Sequence, residues 1–426
     1  MSAQTKTATS PVASKSIRAA AVNTPRIPGF LQRRIDHYYE HRMAVDWGGR
    51  HIMAGSVPKD DDIVLMSNDY LALAQHPEIL QAQIDSIQAS GNGMLMSAIF
   101  LNGPNEHASF ESRMADFMQC DTTIVSQSGW NANTGLMQTL ADPETPVYID
   151  FFAHVSLWEG VHAAHATAYP FRHNEPGHLA RMIAKHGPGV IVVDSVYSTN
   201  GSVAPLAEIA EMAERTGCVF VVDESHSLGT HGPHGEGLVV ELGLTDKVHF
   251  RTASLAKAFA ARGGIIAAHA DFASYFRSTS SPAIFSSTLL PHELAGMSKT
   301  LDVIRAADDR RSRLHEIAAH MRHEIDELGY NLRESEAQII ALEAGSELEV
   351  MHLRDVLEAN GLFGAIFCPP ATPRNRALVR LSLHSAMTDD QVERTLRILA
   401  ETREESGMWT WGSTRKKRGN QLSQAA

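Results

Sequence analysis

One lysine stands among small and apolar residues in the stretch TASLAKAFAARGG, residues 252 to 264. Burial in apolar surroundings lowers the pKa of a lysine, and the neutral amine can then condense with a carbonyl group. A surface lysine on an alanine-rich helix is the alternative interpretation, because lysine side chains are usually exposed. Lys257 is therefore a candidate nucleophile whose role depends on the residues that the fold brings to it.

Acidic residues end two apolar, β-branched stretches, VIVVDS from Val190 and CVFVVDES from Cys218. Such continuous runs are typical of parallel strands that are buried on both faces. In open α/β sheets, ligands bind beyond the carboxyl ends of the strands, so Asp223 and His226 are expected at that rim. Asp194 has the equivalent place one strand earlier, where it could simply cap the following loop, and it is left out of the catalytic set.

A serine and a glycine open a predicted helix in the stretch SQSGWNANTG, residues 126 to 135. Free N–H groups at a helix start suit a phosphate, although Ser-Gly before a helix is more often ordinary capping. Beside a lysine and a strand-end aspartate, this start fits pyridoxal phosphate. That cofactor needs an amine for its aldehyde, an acid at its ring nitrogen, a phosphate cradle and a group stacked on its ring. The stretch YIDFFAHVSLWEG supplies His154 as the stacking candidate.

The elements that must position these residues alternate between short apolar runs and helical stretches from Ile63 onward. PLAEIAEMAERTG, residues 205 to 217, is predicted to be the helix between the two acid-ended strands. The alternation favours a doubly wound α/β sheet. The pattern from Leu294 to Leu328 is helical, and the short runs QIIALEAG and LVRLSLHS after it predict a smaller C-terminal α+β domain.

Five segments follow from these patterns. They are a disordered N-terminal tail (1–28), an N-terminal helix and arm (29–62), a large cofactor-binding domain (63–292), a small C-terminal domain (293–412) and a second disordered tail (413–426). The apolar spacing in FLQRRIDHYYEHRM predicts the amphipathic helix of the second segment. The composition of the first tail faintly resembles a transit peptide, but disorder is the expectation for it.

Composition excludes several classes of function. The chain of 426 residues has a formal net charge of -12, which argues against nonspecific nucleic-acid binding as its main role. Its three cysteines lie far apart, so they predict no disulfide framework and favour the cytoplasm. No apolar run approaches the ~18 residues of a membrane span. His162 with His165, and His231 with His234, have metal-ligand spacing but no third ligand, so no metal site is predicted.

Nine stretches carry a resemblance that covers residues 30 to 402. In chain order they are IDHYYEH, SNDYLALAQHP, SQSGWNAN, VYIDFFAHVSLWEG, HGPGVIVVDSVYSTNGSVAPL, VVDESHSLGTHGP, TASLAKAFA, PAIFSSTLLP and VRLSLHSAMTDDQ. Together they resemble the fold-type I pyridoxal-phosphate enzymes of the α-oxoamine synthase family, and most closely the autoinducer synthases of the CqsA/LqsA type. Several long matches in order are far more specific than any single one.

The resemblance implies a role for each matching residue around the cofactor. Lys257 would bind the cofactor aldehyde, Asp223 would pair with the ring nitrogen, and His154 would lie flat against the ring. His226 and Ser198 would face the phenolic oxygen of the ring. The catalytic set is therefore Lys257, His154, Asp223 and His226.

The same resemblance implies the contacts of the phosphate and of the substrates. The phosphate would be held by Ser128, Gly129, Trp130 and Ser254, and contacts from or near a partner subunit would come from Asn68, Tyr70, Ser286 and Ser287. Arg380 would receive the substrate carboxylate, a task that suits a bidentate guanidinium. A surface salt bridge on an edge strand is the alternative for Arg380.

One stretch departs from the broader family. GNGMLMSAIFLNGPNEHASFE has Ala98 where most relatives have an arginine, and Trp130 replaces a more common Tyr or Phe. The apolar version of this stretch is shared by the autoinducer synthases and favours that branch. Met94, Leu95 and Met96 fit either plain core packing or a channel for a long acyl tail.

These features predict a homodimeric, pyridoxal-phosphate-dependent acyltransferase. An amino acid or S-adenosylmethionine and an acyl-CoA would be its substrates, and the α-aminoketone product would be a precursor of an α-hydroxyketone quorum-sensing signal. The alternatives are a housekeeping α-oxoamine synthase, such as one making 8-amino-7-oxononanoate, and an inactive regulatory subunit of the same fold. The chemically complete set of Lys257, Asp223 and His154 argues against an inactive copy.

Overall fold

A computed structural model of the chain describes residues 25–332 and 334–412. The predicted tail 413–426 and most of the predicted tail 1–28 therefore lie outside the described residues. The chain divides into two units, one that ends at His51 and one that begins at Ile52. In the first unit, helix α1 (Gly29–His37) continues into a π-helical segment (Tyr38–Asp46). The helix predicted from the apolar spacing of this stretch is confirmed.

A seven-stranded sheet is the main element of the second unit. In spatial order it runs β2-β8-β7-β6-β5-β3-β4, and only β8 is antiparallel to its neighbours. The mostly parallel, doubly wound sheet expected from the sequence is thereby confirmed. The strands are β2 (Thr122–Ser126), β3 (Pro146–Asp150), β4 (Thr167–Phe171), β5 (Val190–Asp194), β6 (Val219–Asp223), β7 (Phe250–Ser254) and β8 (Gly264–Ala268).

Helices cover both faces of this sheet, which explains why its strands read as unbroken apolar runs. In β5, Ile191 and Val193 pack into one core cluster, and Val190 and Val192 pack into the cluster on the opposite face. The connecting helices are α3 (Glu106–Met118), α4 (Gly129–Leu140), α5 (Val155–Ala163), α6 (Pro176–His186), α7 (Leu206–Thr216), α8 (Leu238–Glu241), α9 (Ala270–Thr279) and α10 (Ser281–Phe285). Helix α7 ends at Gly217, whose φ of 68° is left-handed, as its terminal glycine predicts.

A second, four-stranded sheet has the order β1-β10-β11-β9. Its strands are β1 (Ile63–Leu65), β9 (Ile339–Gly345), β10 (Leu362–Phe367) and β11 (Ala377–Ser382). Strand β1 pairs in parallel with β10, about three hundred residues away, so it belongs to this smaller sheet. The predicted large domain (63–292) includes β1, because a three-residue strand carries no information about its distant partner. The division into a large and a small domain stays a prediction, except that β1 belongs to the sheet of the small one.

The long helical stretch predicted after residue 293 is two helices. Helix α11 (Pro291–Arg305) ends before Ala306, and α12 (Asp308–Glu327) begins after Ala307 with two aspartates in its first turn. Acidic side chains near a helix start interact favourably with the helix dipole, which favours a new start here. The other helices are α2 (Pro77–Ser90), α13 (Glu347–Ala359), α14 (Asp389–Glu401) and the 3-10 turns Ala98–Phe100 and Met408–Thr410. Across the described ranges, none of the helices combines the length and hydropathy of a bilayer span.

Candidate active site

The polar residues predicted at the carboxyl ends of the strands lie together at that edge of the seven-stranded sheet. Asp194 and Asp223 end β5 and β6 and are direct neighbours in the sheet register, and Thr252 of β7 lies beside Asp223. Both aspartates are buried. Asp194 accepts a hydrogen bond from the backbone N–H of His154 at 3.1 Å. Its side chain therefore holds the start of α5 and not the loop that follows its own strand.

The carboxylate of Asp223 is held in one orientation by two hydrogen bonds. One oxygen accepts from the backbone N–H of Ser225 at 2.8 Å, and the other accepts from the side-chain amide of Asn133 at 2.7 Å. Two donors at fixed positions, one on each oxygen, leave the carboxylate a single orientation. An acid held in a fixed position is what the ring nitrogen of pyridoxal phosphate requires.

Lys257 lies in the turn that joins the antiparallel strands β7 and β8. The alternative of an alanine-rich helix is wrong, because the backbone closes a tight loop in which Ala260 N–H donates to the Lys257 carbonyl at 2.8 Å. Burial lowers the pKa of Lys257, the nearby charge of Arg380 lowers it further, and Asp223 opposes both. The side chain is thus biased toward the neutral amine that condensation with an aldehyde needs.

The start of α4 forms a cradle with the end of β7. Ser128 caps the helix by accepting the N–H of Asn131 at 3.1 Å, so the N–H groups of Gly129 and Trp130 lie in the first turn without intrahelical acceptors. A Cβ on Gly129 would lie 2.6 Å from the Cβ of Ser254. Only glycine therefore allows the start of α4 to lie this close to Ser254, and free N–H groups at a helix start suit a phosphate.

His154 is the residue directly before α5. Its Nδ1 lies 2.7 Å from the hydroxyl of Ser156, and the indole of Trp130 is nearly perpendicular to its ring at 6.3 Å between centroids. Burial lowers the pKa of His154, Lys257 lowers it further, and Asp223 opposes the shift. The ring is therefore neutral at ordinary pH, which suits a flat contact with an aromatic cofactor.

His226 is held by a tyrosine that lies 156 positions earlier in the chain. The Tyr70 hydroxyl and His226 Nδ1 are 2.6 Å apart, and the same hydroxyl is 3.2 Å from the side-chain oxygen of Asn68. Burial lowers the pKa of His226 well below its usual value, and the charges of Lys257 and Arg380 act in the same direction. Burial raises the pKa of Tyr70 above its usual value, so the phenol stays protonated.

Arg380 reaches the same rim from strand β11 of the smaller sheet. Its guanidinium donates to the Ser198 carbonyl at 2.6 Å and to Asn68 Oδ1 at 2.8 Å, and it lies over the Phe367 ring at 4.5 Å. Arg380 is only 4% exposed, and no carboxylate of the described residues forms a salt bridge with it. The surface salt-bridge alternative is therefore wrong. Its Nε is buried without a hydrogen-bond acceptor, which leaves one donor for a ligand.

Two predicted residues stand apart from this group. Ser286 and Ser287 follow α10 and are partly or fully exposed. In the described part of the chain they have no hydrogen bond to the residues of the rim. Their predicted contacts involve a partner subunit, so this prediction stays open.

A cavity of about 410 Å³ lies beside His154 and Ser198. Its walls are mostly aromatic, aliphatic and proline side chains, contributed by the β3–α5 region and by the loop between β10 and β11. At its polar end, Arg376 bonds Glu343 at 2.9 Å and Glu334 at 2.8 Å, so two carboxylates face one guanidinium. The apolar lining comprises Phe151, Phe152, Ala153, Val155, Trp158, Phe367, Pro370, Ala371, Pro373 and Leu378.

Sequence reasoning missed the residues that hold the catalytic set in place, above all Asn133 and Ser156. Asn133 lies on the buried face of α4 with Gly129, Ala132 and Leu136. A polar amide at an apolar position of a helix is the signal that could have identified it, because buried amides need several partners. No comparable signal pointed to the cavity, whose walls come from distant stretches. The described residues contain no group of three or more side chains suited to a metal ion.

Comparison with known proteins gives the family. The model of the family described as aminotransferase class I and II matches residues 60–399. The chain belongs to the aminotransferase class I and II family. It is 47% identical over 373 residues to a CAI-1 autoinducer synthase of Vibrio campbellii, which covers 88% of this chain and 95% of that protein.

More distant members of the family agree with this assignment. An 8-amino-7-oxononanoate synthase of Symbiobacterium thermophilum is 30% identical, over 81% of this chain and 89% of that protein. The solved serine palmitoyltransferase of Sphingomonas wittichii has a TM-score of 0.82 at 24% identity, and it covers 88% of this chain and 99% of that chain. The fold is thus that of the fold-type I transferases, and the chain is a pyridoxal-phosphate-dependent enzyme of the α-oxoamine synthase type.

The residues present fit that cofactor. The Lys257 amine has a lowered pKa, the Asp223 carboxylate is fixed and buried, and the cradle at Gly129 and Ser254 would be filled by a single additional Cβ. Each is a separate requirement of pyridoxal phosphate, and one edge of the sheet supplies all three.

Proposed function

We propose that the protein joins the Cα carbon of an amino acid, or of S-adenosylmethionine, to the acyl group of an acyl-CoA. A carbon–carbon bond forms, the thioester C–S bond breaks, and CoA and carbon dioxide leave. The α-aminoketone that remains would be the precursor of an α-hydroxyketone quorum-sensing autoinducer. The 47% identity to a CAI-1 autoinducer synthase over most of both chains is the observation that carries this proposal.

The rim residues have distinct tasks in this reaction. When bound, the cofactor supplies an aldehyde for the amino group and a cationic ring that withdraws electrons from Cα. Asp223, oriented by Ser225 and Asn133, would pair with the ring nitrogen. Lys257, whose pKa is lowered by burial, accepts the Cα proton at Nζ. His154 would lie against the cofactor ring, and its lowered pKa keeps the imidazole uncharged there.

Arg380 is the proposed anchor of the amino-acid carboxylate. Its charge is buried, its pKa is lowered only by that burial, and its Nε is an unused donor. A buried guanidinium without a salt bridge gains most from an anionic ligand, because the ligand supplies the missing acceptor. Asn68 and Ser198 hold the guanidinium in place for that contact.

The cavity beside His154 is the proposed site of the acyl chain. Its volume of about 410 Å³ is within the range of small-molecule sites, and most of its walls are apolar. The guanidinium of Arg376 is already matched by Glu334 and Glu343. A chain that ends in a carboxylate would meet an excess of negative charge there, so an aliphatic medium-length chain fits best.

This charge distribution separates the proposal from its main alternative. The product 8-amino-7-oxononanoate carries a carboxylate at the far end of its chain, which the Glu334–Arg376–Glu343 cluster disfavours. An inactive regulatory subunit is disfavoured because it has no chemical need for a lysine, an aspartate and a histidine held in these orientations. We also propose that the protein is a homodimer whose two subunits share their active sites. It would act in the cytoplasm, on small molecules. The three cysteines, none of which forms a disulfide in the part of the chain that the structure describes, support a reducing compartment.

A matrix of amino donors against acyl-CoAs tests the proposal, with released CoA thiol and product mass as readouts. The donors are small amino acids and S-adenosylmethionine, and the acyl-CoAs are saturated chains of increasing length and one ω-carboxylated chain. Turnover of a medium-length saturated chain to an α-aminoketone is the expected result. Preference for the ω-carboxylated chain would establish the housekeeping alternative. Purified protein without the yellow absorbance of bound pyridoxal phosphate, and without any turnover, would establish the regulatory one.

A further inference from the structure

The hydrogen-bond partners of Asn133 show which end of its side-chain amide is the NH₂ group and which is the oxygen. Its Nδ2 lies 2.7 Å from Asp223 Oδ2 and 2.9 Å from the Ser156 hydroxyl, and its Oδ1 lies 2.6 Å from the Thr252 hydroxyl. A carboxylate can only accept, so the atom facing Asp223 is the NH₂ group and the amide orientation is unambiguous. Both amide hydrogens are used, one on Asp223 and one on Ser156.

The hydrogen bond from Asn133 determines what Ser156 can offer to His154. Because the Ser156 oxygen accepts the amide hydrogen, its own hydrogen is free for His154 Nδ1, which lies 2.7 Å away. The backbone N–H of Ser156 also points at Nδ1, at 3.3 Å. A backbone N–H can only donate, so Nδ1 acts as an acceptor and carries no proton. The single ring proton of neutral His154 is then on Nε2.

We propose that Asn133 and Ser156 form a positioning relay that sets the Asp223 carboxylate and the His154 tautomer together. One amide hydrogen orients the Asp223 carboxylate, which would pair with the cofactor ring nitrogen. The other, through the serine hydroxyl, keeps Nδ1 of His154 unprotonated and leaves the Nε2–H as the donor on the exposed side of the ring. Thr252 anchors the opposite end of the amide, so the relay cannot rotate without losing three contacts.

Burial makes this relay effective. Asn133 is 2% exposed and Ser156 is fully buried, so no water competes for their hydrogen bonds. The charges around His154 oppose each other: Asp223 favours the protonated ring, and Lys257 disfavours it. The two donors at Nδ1 therefore decide the tautomer, and the relay allows His154 to contact an aromatic ring without adding a positive charge beside it.

The direct test is ¹⁵N NMR of the imidazole nitrogens in histidine-labelled full-length protein, recorded with and without pyridoxal phosphate. The His154 signals are assigned by their loss in His154→Asn. We expect an unprotonated shift at Nδ1 and a protonated shift at Nε2 in the wild type. Ser156→Ala should shift both signals only part of the way toward the average of the two tautomers, because the backbone N–H of residue 156 remains as the second donor. A wild-type Nδ1 that carries the proton would overturn the proposal, whatever reaction the enzyme catalyses.

The second arm measures cofactor affinity by equilibrium titration with pyridoxal phosphate. Asn133→Ala should weaken binding about 10- to 100-fold, because a hydrogen bond to a buried charge is lost. Asn133→Ala should also alter the His154 shifts, although Asn133 and His154 share no hydrogen bond. Since the tautomer is read without turnover, failure of the proposed reaction and failure of the relay are distinguishable. Unchanged His154 shifts in Asn133→Ala would contradict the relay.

A matched control separates the relay from general loss of packing. Thr139 also has a buried hydroxyl on α4, but it bonds only the Gly135 carbonyl of its own helix. Thr139→Val should leave the His154 shifts and the cofactor affinity unchanged. If Thr139→Val changed them as much as Ser156→Ala does, the effect would be structural and the proposal would be wrong. The double variant Asn133→Ala/Ser156→Ala should resemble the more severe single variant, because members of one relay are not additive.

Discussion

The rim of the seven-stranded sheet and the cavity beside it differ in how they hold their side chains. At the rim, the side chains of Asp223, His154 and His226 each have a hydrogen-bond partner within the chain. In the cavity, the walls are mostly apolar, and the guanidinium of Arg376 at the polar end is already paired with two carboxylates. Directional bonds fix orientation to fractions of an ångström, whereas apolar walls only limit size and shape.

The difference indicates that the rim carries out the chemistry and that the cavity selects the acyl chain. Chemistry requires groups that do not move, and buried hydrogen-bonded groups on sheet ends meet that need. Selection of an acyl chain requires a volume, and apolar side chains can change that volume at small cost to the fold. Variants at the rim should therefore affect every acyl-CoA alike, and variants in the cavity should change which acyl-CoA is preferred.

Removal of the Lys257 amine gives the largest expected effect at the rim. Lys257→Ala should lower turnover by at least about 10³-fold for every acyl-CoA, because the nucleophile and the base are lost together. Released CoA thiol measures the rate. Lys247→Ala is the control, since Lys247 lies at the surface with Glu214 at 3.4 Å. Activity retained in Lys257→Ala would refute the assigned site.

Replacement of Arg380 tests the contact between the smaller sheet and the rim. Arg380→Lys keeps the charge but loses the planar donor pair, so the KM for the amino donor should rise about 10- to 100-fold, with a smaller change in kcat. The KM for the acyl-CoA should stay unchanged. Arg374→Lys, an exposed position nearby in sequence, is the control. If only the KM for the acyl-CoA rose, Arg380 would not be the residue that binds the carboxylate of the amino donor.

Narrowing of the cavity should change selectivity without changing the chemistry. Val155 lines the cavity at the start of α5 and is 52% exposed, so a larger side chain can be accommodated without disturbing the core. Val155→Trp should lower kcat/KM about tenfold for the longest accepted chain and leave short chains unaffected. Ala163→Trp, at the end of the same helix, should show the wild-type preference. Equal losses for all chain lengths would contradict the proposed acyl site.

The smallest expected effect concerns stability and pH. Burial lowers the pKa of His231 to about 3 and of His107 to about 4, from an ordinary value of 6.5. The unfolded chain then takes up protons below pH 6.5 that the folded chain does not, so stability falls as the pH drops from about 6.5 toward 4. Thermal melts of the cofactor-free protein at pH 7 and pH 5 should differ by several degrees.

His231→Gln should lose less stability over this pH range than the wild type, since one group that resists protonation is removed. His162→Gln, which changes a histidine with 64% side-chain exposure, should show the wild-type slope. A melting temperature that is independent of pH between 7 and 5 would show that burial does not keep these histidines neutral.

Much of the rim could be predicted from the sequence because its signals are local. The unbroken apolar runs that end at Asp194 and Asp223 specify strands buried on both faces, and the acids must then lie at one edge. The cap at Ser128 follows from the Ser-Gly pair before a helix. Lys257 was recognised by its apolar neighbours, although its turn between two strands was not distinguished from a helix.

The sequence by itself determined the strands, the helix starts and the chemical groups at the rim, since these depend on residues within one or two turns of each other. Only the tertiary structure decided which groups meet. The Tyr70–His226 bond spans 156 positions, β1 pairs with β10, and the cavity joins the β3–α5 region to the loop after β10. Such contacts result from packing of both sheets and their helices, and no short pattern contains that information.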